Sequence, residues 1–149
     1  MTHADLVKRA GRWLRNTRRC KLVILEPKPW NCHEHVDAIG WTPLGDSIVV
    51  ECKVSLTDFK ADSRKHWRLT TIGMGAVKYY MTPPYLLTAP NVPWVGEFHG
   101  TGLLEVHGRR VKVICESSPR PLHDYVAETN LLVAHICGKL SGKHEREER

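Results

Sequence analysis

Three positions carry the chemistry most readily read from this chain: Asp37, Glu51 and Lys53. They stand in the runs HVDAIGW and SIVVECKV, both apolar and rich in β-formers. Each reads as a strand, and the turn Pro43-Leu44-Gly45-Asp46 joins them. Residues i and i+2 of a strand share a face, about 6.5–7 Å apart. Glu51 and Lys53 therefore face one way, and Val50, Cys52 and Val54 face the core. Charges placed within a sheet are costly to desolvate unless something compensates them. Asp37, in the preceding strand, can meet Glu51 across the ladder. Facing carboxylates repel each other, and a cation between them removes the conflict. A hard divalent ion with oxygen ligands and retained waters, Mg²⁺ in the first place, has that character. Lys53 beside it can hold or deprotonate an attacking water, or neutralise charge on a phosphate. The plainer alternative is that Glu51 and Lys53 belong to a cross-strand ion pair.

A second set of residues suits a polyanion. The chain has 22 Lys and Arg against 16 Asp and Glu, a net charge of +6. Seven of the basic residues fall between Lys8 and Lys21, and Asp5 is the one acid in the first 25 residues. Lys8, Arg12, Arg15 and Arg19 recur at helical spacing opposite the apolar stripe of Leu6, Ala10, Trp13 and Leu14. Such a face is either solvated or tracks phosphates, and nucleic acid is the commonest partner of a small basic domain. Arg64, Lys65, His66, Trp67 and Arg68 mix basic and aromatic groups in the manner of a nucleic-acid groove.

Soft ligands form a weaker constellation. Cys32-x-x-His35, with His33 between them, has a spacing suited to Zn²⁺, but no second pair accompanies it. Cys52 alternates away from Glu51 and Lys53, which argues against a nucleophilic role. The five cysteines are odd in number and scattered, and no secretory signal precedes them, so reduced thiols in a cytoplasmic protein are expected. No apolar run approaches the ~20 residues that span a bilayer, so no membrane role is expected.

The elements that position these residues follow from pattern. At 149 residues, the length suits one domain over 1–140, with 141–149 as a charged flexible tail. A helix over Ala4–Arg19 opens on a capping box of Thr2 and Asp5. KLVIL, the two strands above and KYYM supply four β runs. Ser55-Leu56-Thr57-Asp58 opens a second helix reaching about Arg68. Tyr79 and Tyr80 alternate faces, which predicts one in the core and one exposed. Gly102–Val106 and Arg110–Cys115 form a closing hairpin. A last helix starts at Pro121, with Leu122, Val126, Leu132, Val133 and Ile136 as its buried side and Gly138 at its C′ position. The order α-β-β-β-α-β, then a hairpin and a helix, is an α/β (α+β) arrangement: a mixed sheet flanked by helices.

Asp37 followed by Glu51-x-Lys53 on consecutive strands, after an N-terminal helix, resembles the PD-(D/E)xK nuclease superfamily, which includes restriction endonucleases and Holliday-junction resolvases. Within it, VDAIGW, VECKVS, the Asp58-Phe59…Asp62…Lys65 helix, KYYMTPP and GLLEV are similar to the MmcB-like DNA-repair proteins. The likeness runs from about Leu6 to Val113. Val36 stands where the superfamily name has Pro. The resemblance implies a restriction-endonuclease-like core and hydrolysis of DNA phosphodiesters, structure-selective and linked to repair, recombination or phage DNA processing. Asp37, Glu51 and Lys53 would be catalytic, with Mg²⁺ or Mn²⁺ on Asp37 and Glu51. Such nucleases often add another carboxylate; Glu26 is the leading choice, ahead of Asp5, a helix cap, and Glu34. Asp58 and Asp62 would border the cleft and hold Lys53 or contact DNA. Arg12, Arg15, Arg19, Arg64, Lys65 and Arg68 would bind phosphates. A homodimer is expected if both strands are cut. The alternatives are a catalytically silent DNA-binding module on the same fold and a protein unrelated to nucleic acid.

Overall fold

A computed structural model describes residues 1–28, 34–63, 73–88 and 100–147, with side chains as far as 138. In chain order the elements are α1 (His3–Asn16), β1 (Leu22–Leu25), β2 (Ala38–Trp41), β3 (Ser47–Cys52), α2 (Leu56–Ser63), β4 (Val77–Thr82), β5 (Thr101–His107), β6 (Arg110–Cys115) and α3 (Tyr125–Glu147). The strands form one sheet in sequential order. β1, β2 and β3 pair antiparallel, β3, β4 and β5 pair parallel, and β6 returns antiparallel to β5. The parallel half places the C-terminal ends of β3, β4 and β5 at one edge of the sheet.

α1 begins as its sequence predicts. Thr2 Oγ1 accepts from the Asp5 N–H, and the Asp5 carboxylate accepts from the Thr2 N–H at 2.9 Å. The Thr2 N–H, and after it the Thr2 hydroxyl, donate to the Asp5 carboxylate and hold it below its ordinary range. Leu6, Ala10, Trp13 and Leu14 pack against Ala38, Ile48, Val50, Cys52, Tyr79, Met81, Leu104 and Val106. The opposite face of the sheet carries two apolar patches. Ile39, Trp41, Val49 and Met74 meet Ala127 and Leu131 of α3, while Tyr80 and Leu103 meet Phe59 of α2 and Leu87.

Both faces are thus covered, and several expectations change. Tyr79 and Tyr80 do alternate, but both are buried: Tyr79 meets Trp13 edge-on, and Tyr80 meets Phe59. The last helix starts at Tyr125 and turns a different side inward. Ala127, Glu128 and Leu131 are buried and Leu132 is partly so, whereas Val126 is 72% and Ile136 52% exposed, and Leu122 and Val133 are exposed too. A buried carboxylate sets this rotation. Glu128 Oε1 accepts from Ser47 Oγ at 2.9 Å and the Gly75 N–H at 2.6 Å, and lies 2.8 Å from His123 Nδ1. The cost of leaving such a group unsatisfied outweighs the gain from burying a valine. The helix also continues through Gly138 to Glu147, so Gly138 is interior and the charged segment extends the helix.

Candidate active site

The polar residues of the second face gather between its two apolar patches. β3 alternates, so Ser47, Val49 and Glu51 share a side, and Lys53 follows just beyond the strand. Glu51 is 2% and Lys53 6% exposed, so neither is a surface residue. They are not each other's ion-pair partners. Lys53 Nζ lies 3.5 Å from Asp62 and 3.9 Å from Asp58, both on α2. Ser55 Oγ caps that helix by accepting from the Asp58 N–H. Glu51 Oε1 lies 3.4 Å from Lys78 Nζ, which also donates to Glu34 Oε1 at 2.8 Å. Glu34 is in turn fixed by the Met74 N–H at 2.7 Å. Alternating acids and lysines are the compensation that charges within a sheet require.

Asp37 stands at the lip of this seam. The register pairs Ala38 with Val50, so Asp37 lies at the next step, opposite Glu51. Its Oδ2 accepts from the Cys52 N–H at 2.7 Å, and His3 Nε2 of α1 is 3.2 Å from its Oδ1. Asp37 therefore ties the end of the β2–β3 ladder to the start of α1. Glu26 is exposed, with φ of 43°, and its N–H donates to the Asp37 carbonyl. Burial, with the neighbouring charges of Asp37 and Glu51, pushes the Cys52 thiol well above its ordinary range, so no thiolate is available there.

Asp37 and Glu51 supply hard oxygen donors at one ladder end. Mg²⁺ takes one or two carboxylates and keeps several waters, so the pair suits it in kind and number. Among the described residues no group of three or more His, Cys, Asp or Glu is placed to hold a metal ion. Of the predicted phosphate-binding residues, Arg12, Arg15 and Arg19 are exposed on or just after α1. Arg64, Lys65 and Arg68 lie outside the described residues, as do Cys32 and His33 of the zinc spacing. Lys78 was not singled out from sequence, and Glu34 stood behind Glu26 there. A lysine between Val77 and Tyr79 in an otherwise apolar strand was the available signal.

No family model matches the chain, and no curated protein matches it. The chain is similar to the structure of a protein of unknown function from Silicibacter pomeroyi, with 20% identity and a TM-score of 0.66. The match covers 100% of this chain and 96% of that one. At that identity the likeness concerns fold alone: an α+β chain with a six-stranded mixed sheet flanked by helices. No helix among the described residues is long and apolar enough to cross a membrane.

Proposed function

We propose that the protein is a divalent-metal-dependent nuclease that hydrolyses DNA phosphodiester bonds. The observation that carries this reading is the Asp37 carboxylate bonded to the Cys52 N–H, next in sequence to Glu51, beside a buried Lys53 held by Asp62 and Asp58. A lysine kept in a carboxylate-lined seam is oriented and shielded from bulk water, which strengthens its action on a phosphate. Asp37 and Glu51 would hold Mg²⁺ or Mn²⁺, which when bound neutralises phosphate charge and lowers the pKa of a water. Lys53 orients that water toward phosphorus. In the overall reaction water adds at phosphorus, one P–O ester bond breaks, and the leaving oxygen takes a proton. Lys78 and Glu34 position Glu51.

The test is cleavage of branched, single-stranded and duplex DNA with Mg²⁺ or Mn²⁺ and with EDTA. Asp37→Asn, Glu51→Gln and Lys53→Met are each expected to lower the rate about a hundredfold or more while the thermal transition persists. Full activity in all three overturns the reading. DNA binding without cutting under either metal, unchanged by EDTA, replaces it with a binding module on the same fold.

A further inference from the structure

Outside the carboxylate seam, a strongly charged concavity lies between α1 and the tip of the β5–β6 hairpin. Its volume is about 590 Å³, and its lining includes Arg9, Arg12, Trp13, Asn16, Thr17 and Arg109. Three guanidinium groups thus converge from two elements a hundred residues apart. No carboxylate lines the groove among the described residues. Its construction is specific. The two-residue turn Gly108-Arg109, with Gly108 at φ of 58°, brings Arg109 over α1, and Arg9 Nη1 donates to the Arg109 carbonyl at 3.1 Å. That bond joins the hairpin to the helix and leaves the Arg12 and Arg109 side chains exposed. Trp13 is buried beneath and keeps the helix seated. Arg18 takes no part: it stacks over Trp13 and Tyr79 and pairs with Glu116.

We propose that this groove binds the phosphate backbone of a DNA strand and leads it to the edge of the sheet where Asp37 and Glu51 stand. A cluster of guanidinium groups with no acid among them is built for phosphate oxygens, which arginine meets with a fork of donors. The topology supplies the direction. β5 runs parallel to β4 and β3, so the hairpin tip emerges at the same sheet edge as Lys53. α1 begins at that edge, where His3 meets Asp37. At 1.5 Å per residue, Arg9 is about 9 Å and Arg12 about 14 Å along the helix from His3. A duplex strand advances about 3.4 Å per nucleotide, so the groove is about three to four nucleotides from Asp37. The direction rests on the nuclease reading; binding in the groove does not.

The experiment measures binding of fluorescein-labelled duplex and single-stranded DNA in EDTA, across a salt series, and scores cleavage separately. The Arg12→Ala/Arg109→Ala variant is expected to bind about tenfold more weakly at low salt. The slope of log affinity against log salt on duplex should fall by about 0.9 for each guanidinium removed. The paired Lys variant should keep most of that slope. Unchanged affinity and slope in the Ala variant, with its thermal transition intact, overturn the proposal. Loss of binding to phosphatidylserine vesicles, with DNA binding unaltered, overturns it in favour of a lipid surface. If wild type binds through these arginines but never cuts, the groove stands and the nuclease reading falls. If it cuts and the variant binds as wild type does, the groove alone falls.

Discussion

The two faces of the sheet are built on different terms. Against α1 lie Ile48, Val50, Cys52, Met81, Leu104 and Val106, with Tyr79 as the one large side chain carrying a polar atom. Such a face gains from burial and dispersion in proportion to its apolar area. The other face has apolar patches of its own, but Glu34, Glu51, Lys53, Lys78 and Asp62 run between them, all buried. Replacing a seam of that kind with hydrocarbon is often neutral or stabilising, so stability alone does not call for it. The α1 face holds the strands in register, and the seam holds charges where Asp37 opens to solvent.

If the seam is bound by charge, its most damaging substitution is the loss of a shared cation. Lys78→Met removes the ammonium between Glu34 and Glu51. Denaturant unfolding should show a loss of about 3–5 kcal/mol, the scale for breaking a buried ion pair. Adding Glu51→Gln should recover part of it. A double-mutant cycle without coupling would break the contrast between the faces.

The α1 face should respond to volume instead. Gly102 pairs with Tyr79, and a Cβ at this position would clash with the Tyr79 ring and come within 2.7 Å of the Ser117 backbone nitrogen. Neither neighbour is the free end of a flexible chain. Gly102→Ala is therefore expected to cost about 2–3 kcal/mol. On the proposed nuclease reading, cleavage per folded molecule should stay at the wild-type level, since Gly102 lies at the end of β5 remote from Lys53. A stable Gly102→Ala protein would show that this face is looser than its packing implies.

The sequence carried much of this architecture, for identifiable reasons. α1 was readable because its cap and its apolar stripe agree. Asp37 and Glu51 were readable because the antiparallel β2–β3 hairpin fixes which residues oppose each other. Lys78 was not, because it joins Glu51 through the parallel β3–β4 pairing, whose register depends on a crossover instead of a short turn. Glu34 is part of the same loss, since its place depends on Lys78 and the Met74 N–H. α3 misled for a different reason. Its most apolar stripe, through Val126, Val133 and Ile136, faces outward because Glu128 is anchored to Ser47 and Gly75. Periodicity counts methyl groups and does not register a carboxylate with three partners.

The smallest expected effect concerns the polar atom at the margin of the α1 face. The Tyr79 hydroxyl donates to the Glu116 carboxylate, and Arg18 lies near both. Burial, reinforced by that bond, pushes the phenol from its ordinary 10 up to about 12. A group whose folded pKa is raised gives stability that is complete below its unfolded value and is lost as pH rises through the folded one. The contribution of Tyr79 is thus intact below pH 10 and disappears toward pH 12. Tyr79→Phe should lose about 1 kcal/mol at neutral pH, the worth of one hydrogen bond. Unfolding of both proteins along an alkaline series is the measurement. The gap between them should hold to about pH 10 and close above it. A gap that stayed constant into the alkaline range would mean that the phenol is solvated in the folded protein, and that the α1 face ends short of Tyr79.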